Sequence, residues 1–347
     1  MKILLEAHHP AHIHFWKYPV RELIERGHEV LMIGRDRDVM RRLLEVYDWI
    51  PVEIPKRRTR KNKFPLIEML ERQWVVAKSI RRFRPDVVAS LMGSYTQSAK
   101  LFGVRNVIFT DSEFQHFNHR IAHPFADEIY TPACFYKDLG AKQVKYDGIH
   151  ELAFLNPRVF RRDPSVLERY DGLVSGGYVL VRLSAWNTFH DLAHEGLGDR
   201  VYSFVEECER KYRVVISAEE GKLPPGLERC AMRIAPEDFH QLLAHSRMVL
   251  SEGASTASEA ACLGVPSVYI NNTEPRGYLK LLEEQYGLVW GFNDAEQGIQ
   301  AARELLARVS DDSVGGQFSN LAAQLGEECL DLVEYVVQRL FPRGGEC

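Results

Sequence analysis

The sequence predicts an α/β fold built from two doubly wound, Rossmann-like halves that face a ligand cleft. Three observations carry that prediction. The chain has 347 residues, more than one hydrophobic core usually organises, which suggests two domains of roughly 150 to 200 residues each. Short apolar runs alternate with segments of helical periodicity in both halves, the pattern of a mainly parallel sheet covered on both faces. Between about Gly148 and Gly177 the alternation degrades into Pro157, Arg161, Arg162, Pro164 and a glycine-rich stretch, which marks the connector.

In the first half, Lys2 to Glu6 is a short apolar strand. Ala11 to Arg26 is a helix with apolar residues at Phe15, Val20, Leu23 and Ile24, ended by Gly27, and Pro19 inside it predicts a kink or an early break. The strand Glu29 to Ile33 completes a βαβ unit. Asp38 to Tyr47 reads as helix, Trp49 to Ile54 as extended, Phe64 to Phe83 as a long helix and Asp86 to Ser90 as strand. A helix at Thr96 to Phe102, a strand at Asn106 to Thr110, a helix within Phe114 to Phe125 and a strand at Glu128 to Thr131 follow.

The second half opens with the strand Tyr178 to Leu183. Gly198 to Lys211 is largely helical, Arg213 to Ser217 strand, Pro236 to His245 helix, Met248 to Ser251 strand, Ser255 to Leu263 helix and Pro266 to Ile270 strand. The resulting division is residues 1–160, residues 172–325 and a tail, 326–347. One long helix near Asn320 to Leu340 is expected to cross back onto the first domain.

Composition narrows the function. The 45% hydrophobic share is ordinary for a globular protein, and 44 basic against 48 acidic residues leave a net charge of only -4. That balance calls for no nucleic acid. The start, MKILLEA, reads as a buried strand because a signal peptide needs a longer apolar core, and no run has the length of a spanning helix; the expected location is the cytoplasm. Six scattered cysteines form no CxxC pair and are read as reduced thiols, with no metal or other cofactor expected. The basic run Lys56 to Lys63, followed by Trp74, Val75 and Val76, is either a solvated loop or a patch for anionic lipid or a phosphorylated acceptor at the inner membrane face.

The candidate chemistry lies where strands end and helices begin. Glu6 is followed by His8, His9, His12 and His14, and histidine suits a base that activates a hydroxyl. His12, nearest the helix mouth, is the preferred base, against a structural role for the ring in satisfying the loop. Asp111 and Glu113 follow the strand Asn106 to Thr110, placed to orient an imidazole or take a proton; Asp111 or Ser112 would also serve as an ordinary N-cap. After the strand Tyr178 to Leu183, Arg182 offers a fork of donors for phosphate, with Ser184, Asn187, His190 and Asp191 beside it, or else Arg182 pairs with an acidic neighbour.

The most informative segment runs from Ser251 to Ser267. Gly253, Ser255 and Thr256 open a helix whose N–H groups and hydroxyls suit a diphosphate. Glu259, four residues past Ser255, could accept both hydroxyls of a ribose. The alternative is local: Thr256 to Glu259 also fits a capping box.

This segment, Gly253-Ala-Ser-Thr256 with Glu259 and Leu263-Gly-Val-Pro266, resembles the nucleotide-sugar motif of GT-B glycosyltransferases, including the enzyme that adds N-acetylglucosamine to lipid-linked muramyl peptide, and of UDP-N-acetylglucosamine 2-epimerases. The whole chain from Lys2 to about Leu340 is similar to the DUF354 family. The resemblance implies a GT-B-like fold, with Ser255 and Thr256 near donor phosphate and Glu259 on the ribose. Two departures stand out. Histidines and Pro10 replace a glycine cluster in the first loop, and Glu252-Gly253 replaces paired glycines, so a carboxylate is placed beside a diphosphate unless it turns away or meets a cation.

The expected activity is therefore metal-independent glycosyl transfer from a nucleotide sugar, UDP-linked by resemblance, to a glycan, lipid-linked or small-molecule acceptor in surface polysaccharide or glycoconjugate synthesis. The alternatives are a UDP-sugar 2-epimerase or hydrolase, and a nucleotide-sugar-binding protein without turnover. Homodimer formation is compatible with all three.

Overall fold

The computed structural model describes residues 1–36, 38–55, 65–184, 197, 200–218, 223 and 225–342, with the backbone alone at 38 and 65–69. Asn187, His190, Asp191 and the basic run Lys56 to Lys63 lie outside the described residues. The chain divides into two compact units, Met1–Phe154 with Cys329–Cys347, and Leu155–Glu328.

The first unit is built on β1 (Lys2–Glu6), β2 (Glu29–Ile33), β3 (Val52–Glu53), β4 (Val87–Ser90), β5 (Arg105–Phe109), β6 (Glu128–Pro132) and β7 (Gln143–Tyr146). All pair in parallel in the order β3-β2-β1-β4-β5-β6-β7. Ile3, Leu4, Leu5, Val87, Val88, Val107 and Ile108 are wholly buried, which is why these strands read as unbroken apolar runs rather than alternating ones. The helices of this unit before its boundary are α1 (Pro10–Glu25), α2 (Asp38–Val46), α3 (Pro65–Phe83), α4 (Thr96–Leu101), α5 (His116–Ile121) and α6 (Leu152–Leu155), the last reaching that boundary.

The helix α1 starts where the His9 ring accepts a hydrogen bond from the Ala11 N–H at 3.3 Å and Pro10 takes the first turn. It is not broken at Pro19. A proline removes one backbone bond, but Phe15, Trp16, Pro19, Val20 and Leu23 are all buried, and that burial holds the helix through to Glu25.

The second unit contains β8 (Tyr178–Leu183), α7 (Arg200–Cys208), β9 (Arg213–Ala218), α8 (Phe239–His245), β10 (Met248–Ser251), α9 (Ala254–Cys262), β11 (Ser267–Ile270), α10 (Gly277–Glu284), β12 (Val289–Phe292), α11 (Ala295–Val309) and α12 (Asp312–Glu328). Its sheet, also parallel, has the order β12-β11-β10-β8-β9. Both units are thus Rossmann-like doubly wound sheets. Each reverses strand order once, between β1 and β4 and between β8 and β10, and ligands of open α/β sheets bind at the carboxyl ends flanking such a reversal.

The expected long terminal helix is two helices. The first, α12, packs on α9 and α11, and α13 (Leu332–Leu340) packs on α1. The break falls where the Asp331 carboxylate accepts from the Glu334 N–H at 3.1 Å and the Leu330 N–H donates to the Asp147 carbonyl at 3.1 Å: Asp331 starts a helix rather than continuing one. Arg26 pairs with Glu334, and the Arg105 guanidinium donates to the carbonyls of Arg339 and Leu340, each at 2.9 Å, satisfying the end of α13. Gly264 has a packing reason: at φ +69 a Cβ there would lie 2.7 Å from the Ser319 Cα of α12.

Candidate functional site

In the first unit, carboxylates and imidazoles gather just past the ends of β1, β4, β5 and β7. Glu6 closes β1, and its Oε1 lies 2.7 Å from His8 Nε2. The same nitrogen is 2.9 Å from the Ser94 hydroxyl. Gly93 makes that approach possible, since it turns the chain at φ +73 and any Cβ would meet Ile108 Cδ1 at 2.5 Å. Glu6 Oε2 and His8 Nδ1 are buried without a hydrogen-bond partner among the described residues, so this pair retains polar capacity there.

His12 lies on the first turns of α1, almost wholly buried. Its Nδ1 accepts the His8 backbone N–H at 3.3 Å. A neutral ring that accepts at Nδ1 carries its proton at Nε2, which makes His12 Nε2 a donor. Burial, reinforced by His8 and His9, holds its pKa well below the usual histidine value. His14 instead stacks on Phe154 with ring centroids 5.6 Å apart and meets Tyr47 edge-on, within the packing of the unit.

Asp111 and Glu113 follow β5. Asp111 Oδ2 is 3.2 Å from His150 Nδ1, and the Ser112 hydroxyl donates to Oδ1 at 3.0 Å. Burial would raise the Asp111 pKa, but His150, Ser112 and a backbone N–H outweigh it and hold the carboxyl at about 2. His150 is itself buried, and its Nε2 meets no hydrogen-bond partner among the described residues. With Nδ1–H directed at Asp111, the Nε2 lone pair is oriented for accepting a proton. Glu113 is buried, with its backbone carbonyl taking a hydrogen bond from Lys137 Nζ at 2.7 Å. Burial, with Glu113 and Asp111 nearby, pushes the Cys134 thiol up to about 12, which makes it inert at neutral pH.

The buried neutral histidines give a signed pH dependence. Burial lowers His8 and His12, and burial with His119 nearby takes His123 down to about 4. Below 6.5 the unfolded chain binds protons that the folded one refuses, so stability is full above that value and falls as pH drops toward 4. His123 alone contributes on the order of 3 kcal/mol of that loss. Urea unfolding at pH 7.5 and pH 5 is expected to show a lower midpoint in acid; an unchanged midpoint would mean that these rings are not kept neutral by burial.

In the second unit the key residue is Glu252, directly after β10 and buried. It turns away from the start of α9. Its Oε2 accepts the Ser184 N–H at 2.8 Å and its Oε1 the Leu197 N–H at 2.7 Å, while the Asn271 side chain donates to its carbonyl at 2.9 Å. The carboxylate that looked unfavourable beside a diphosphate is therefore satisfied by backbone N–H groups. Gly253 is the N-cap of α9 and no side chain among the described residues caps that helix, so Thr256, its third residue, cannot be the N-cap of a capping box. Ser255 is exposed, Thr256 and Glu259 are buried, and Glu259 Oε1 lies 3.4 Å from His240 Nε2.

Arg182 near the end of β8 donates to the Ser217 hydroxyl at 2.7 Å and lies 5.7 Å over the Phe239 ring. Its Cγ would be 4.0 Å from a Cβ at Gly253, which brings Arg182 to the first turn of α9. Arg276, the N-cap of α10, donates to the Tyr269 hydroxyl at 3.0 Å and to Thr273 Oγ1 at 3.1 Å.

The structure thus gathers Asp111 and Glu113 at the end of β5 and His12 at the start of α1, and in the second unit brings Arg182 to Gly253 and Thr256. Sequence reasoning missed Glu6, His8, Ser94 and His150 as a set, and missed His240, Ser217 and Arg276; Glu252 stood out in the sequence as a departure, and its carboxylate is turned to the Ser184 and Leu197 N–H groups. Among the described residues no group of three or more His, Cys, Asp or Glu side chains is arranged to hold a metal ion.

A family model described as a protein of unknown function, DUF354, matches residues 1–319. An uncharacterised protein of Methanocaldococcus jannaschii is 24% identical over 322 residues, covering 89% of this chain and 92% of that protein. The UDP-GlcNAc 2-epimerase of Neisseria meningitidis, solved with UDP-GlcNAc bound, superposes with a TM-score of 0.67 at 12% identity, over 97% of this chain and 100% of that one. The spinosyn rhamnosyltransferase SpnG superposes at 0.57 and 15% identity, over 98% and 99%. Further UDP-N-acetylglucosamine 2-epimerases share the architecture. At these identities the structural likeness is one of fold, GT-B-like.

Proposed function

The chain belongs to the DUF354 family, and from that membership and the two sets of strand-end residues we propose that it binds a nucleoside diphosphate sugar and rearranges the sugar by acid–base chemistry, as a UDP-sugar 2-epimerase or hydrolase. The second unit takes the nucleotide. The uncapped start of α9, with Thr256, and the Arg182 guanidinium receive the diphosphate. Glu259, set by His240, receives the ribose hydroxyls.

The observation that carries this reading is the surplus of proton-handling groups in the first unit. A glycosyltransferase needs one base to deprotonate its acceptor. Here the Asp111–His150 and Glu6–His8 pairs, Glu113 and the His12 donor occupy neighbouring strand ends. Inversion at C2 needs such a set. A base removes the C2 proton while the C1–O electron pair leaves with the diphosphate and the C2–H pair forms the C1=C2 bond. Return of the diphosphate with a proton on the other face of C2 gives the epimer, and capture by water gives free sugar. His150 Nε2 is the proposed base, Asp111 its positioning residue, and Glu113 and the Glu6–His8 pair are the candidates for the returning acid. The several epimerases of like fold support this over transfer.

The test is UDP-N-acetylglucosamine in deuterated water, followed by proton NMR. Deuterium at C2 with appearance of the manno epimer or free sugar is expected without any acceptor. Nucleotide binding without C2 exchange, and turnover only on adding an acceptor, would instead return the assignment to transfer. Calorimetry is expected to show Glu259→Ala weakening UDP binding roughly 10- to 100-fold, the scale of two lost charge-assisted hydrogen bonds; unchanged affinity would move the nucleotide elsewhere.

A further inference from the structure

Among the described residues, twelve large hydrophobic side chains are exposed, and six of them, Leu101, Phe102, Phe114, Phe117, Phe125 and Tyr136, fall between residues 101 and 136. None takes part in the proposed chemistry. They come from the end of α4, from α5 and its flanks, and from the segment after β6. Those elements adjoin: α4 and α5 both pack on the turn His123–Phe125, and Lys137, next to Tyr136, touches the His116 ring at 3.3 Å.

Cut into this face is an open groove of about 750 Å³ lined by His116, His119, Arg120, His123 and Lys142, with Asp138 the one acidic side chain. His123, one of the lining residues, is buried. The Lys142 ammonium ties the walls together by donating to the carbonyls of Pro124 and Ala126, each at 2.6 Å. Exposed apolar side chains gathered on adjoining elements are what an interaction site presents, and aromatics interleaved with arginine and lysine are what the polar–apolar boundary of a bilayer selects.

We infer that this face docks the protein on an anionic lipid surface, with a lipid phosphate in the groove beside Arg120 and Lys142 and with Phe117 and Phe125 at the acyl boundary. Charge complementarity chooses this occupant: the groove offers two fixed cations, Arg120 and Lys142, against one carboxylate, Asp138. The inference is independent of the nucleotide-sugar reading, since it uses none of those residues. It does place the lipid surface close in the chain to the carboxylate loop, because α5 begins three residues after Glu113.

The full chain is tested by sedimentation with vesicles of phosphatidylcholine alone and of phosphatidylcholine mixed with phosphatidylglycerol. Binding to the mixed vesicles only is expected, weakened by salt. Phe117→Ser with Phe125→Ser should reduce it roughly tenfold or more, as should Arg120→Glu, without moving the thermal midpoint. As a measurement on the unaltered protein, hydrogen exchange should show vesicle-dependent protection within residues 114–142. No preference for anionic vesicles overturns the inference. So does binding that survives these substitutions but is lost on replacing the lysines of the run Lys56 to Lys63, or binding of inorganic phosphate in the groove with no vesicle binding.

Discussion

Replacing Asp111 by Asn is expected to lower kcat roughly a thousandfold while KM for the nucleotide sugar stays within a few-fold. The carboxylate accepts from His150 Nδ1 and from the Ser112 hydroxyl, and it stays ionised down to about pH 2. An amide of the same shape keeps the packing but can present its NH2 to Nδ1. The ring then accepts at Nδ1 and carries its proton at Nε2, where it can no longer act as a base. Loss of the correct tautomer in such carboxylate–imidazole pairs costs about 10⁴ where it has been measured. The nucleotide half of the substrate is assigned to other residues, so ground-state binding is spared and the loss falls on the chemical step. His150→Gln should lose about as much, and the double substitution little more, because the two residues act as one unit. Exchange of the C2 proton, measured beside UDP affinity, separates this from a general structural effect. A variant within tenfold of the parent, with exchange intact, would show that the pair only holds β5 and β7 together.

The sequence made the halves legible because parallel strands covered on both faces are nearly continuous apolar runs, and Lys2 to Glu6, Glu29 to Ile33, Tyr178 to Leu183 and Met248 to Ser251 coincide with strands of the structure. β7 escaped because Gln143-Val-Lys-Tyr146 is a four-residue edge strand with few apolar positions. His150, four residues past its end, fell in the stretch from Gly148 that reads as connector. The region after Ile270 was left unread, and with it α10, β12 and α11.

Side-chain direction was harder to read than element type. His12 and Glu113 follow from their place at strand ends, but no spacing rule says that His12 accepts at Nδ1 or that Glu252 reaches across to two amides. Thr256 to Glu259 fits a capping box as a string. In the folded chain the helix begins three residues earlier, at the Gly253 cap, and the string loses that meaning. Gly264 and Pro266 belonged to a motif read for ligand binding, yet Gly264 is required by the backbone of Ser319 pressed against it.

The largest stability effect is expected at Glu252. Its two carboxylate oxygens each accept one backbone N–H, from Ser184 and from Leu197, at 2.8 and 2.7 Å. The group is almost fully buried, so water does not replace what a substitution removes. Glu252→Ala leaves two amides without acceptors and should cost about 2–5 kcal/mol, a fall in thermal midpoint of roughly 5–15 °C for a unit of this size. Glu252→Gln keeps one acceptor but turns an NH2 toward the other amide, and should cost about half as much. The two variants also distinguish what the charge does to the ligand. If the carboxylate serves only to fasten Ser184 and Leu197, neutralising it beside α9 removes repulsion, and Glu252→Gln should bind UDP at least as tightly as the parent once folded. If Ser184 or Leu197 itself contacts the diphosphate, affinity should fall together with stability. Calorimetric titration well below the lowered midpoint separates the two, and a variant that is neither less stable nor altered in binding would remove Glu252 from the site.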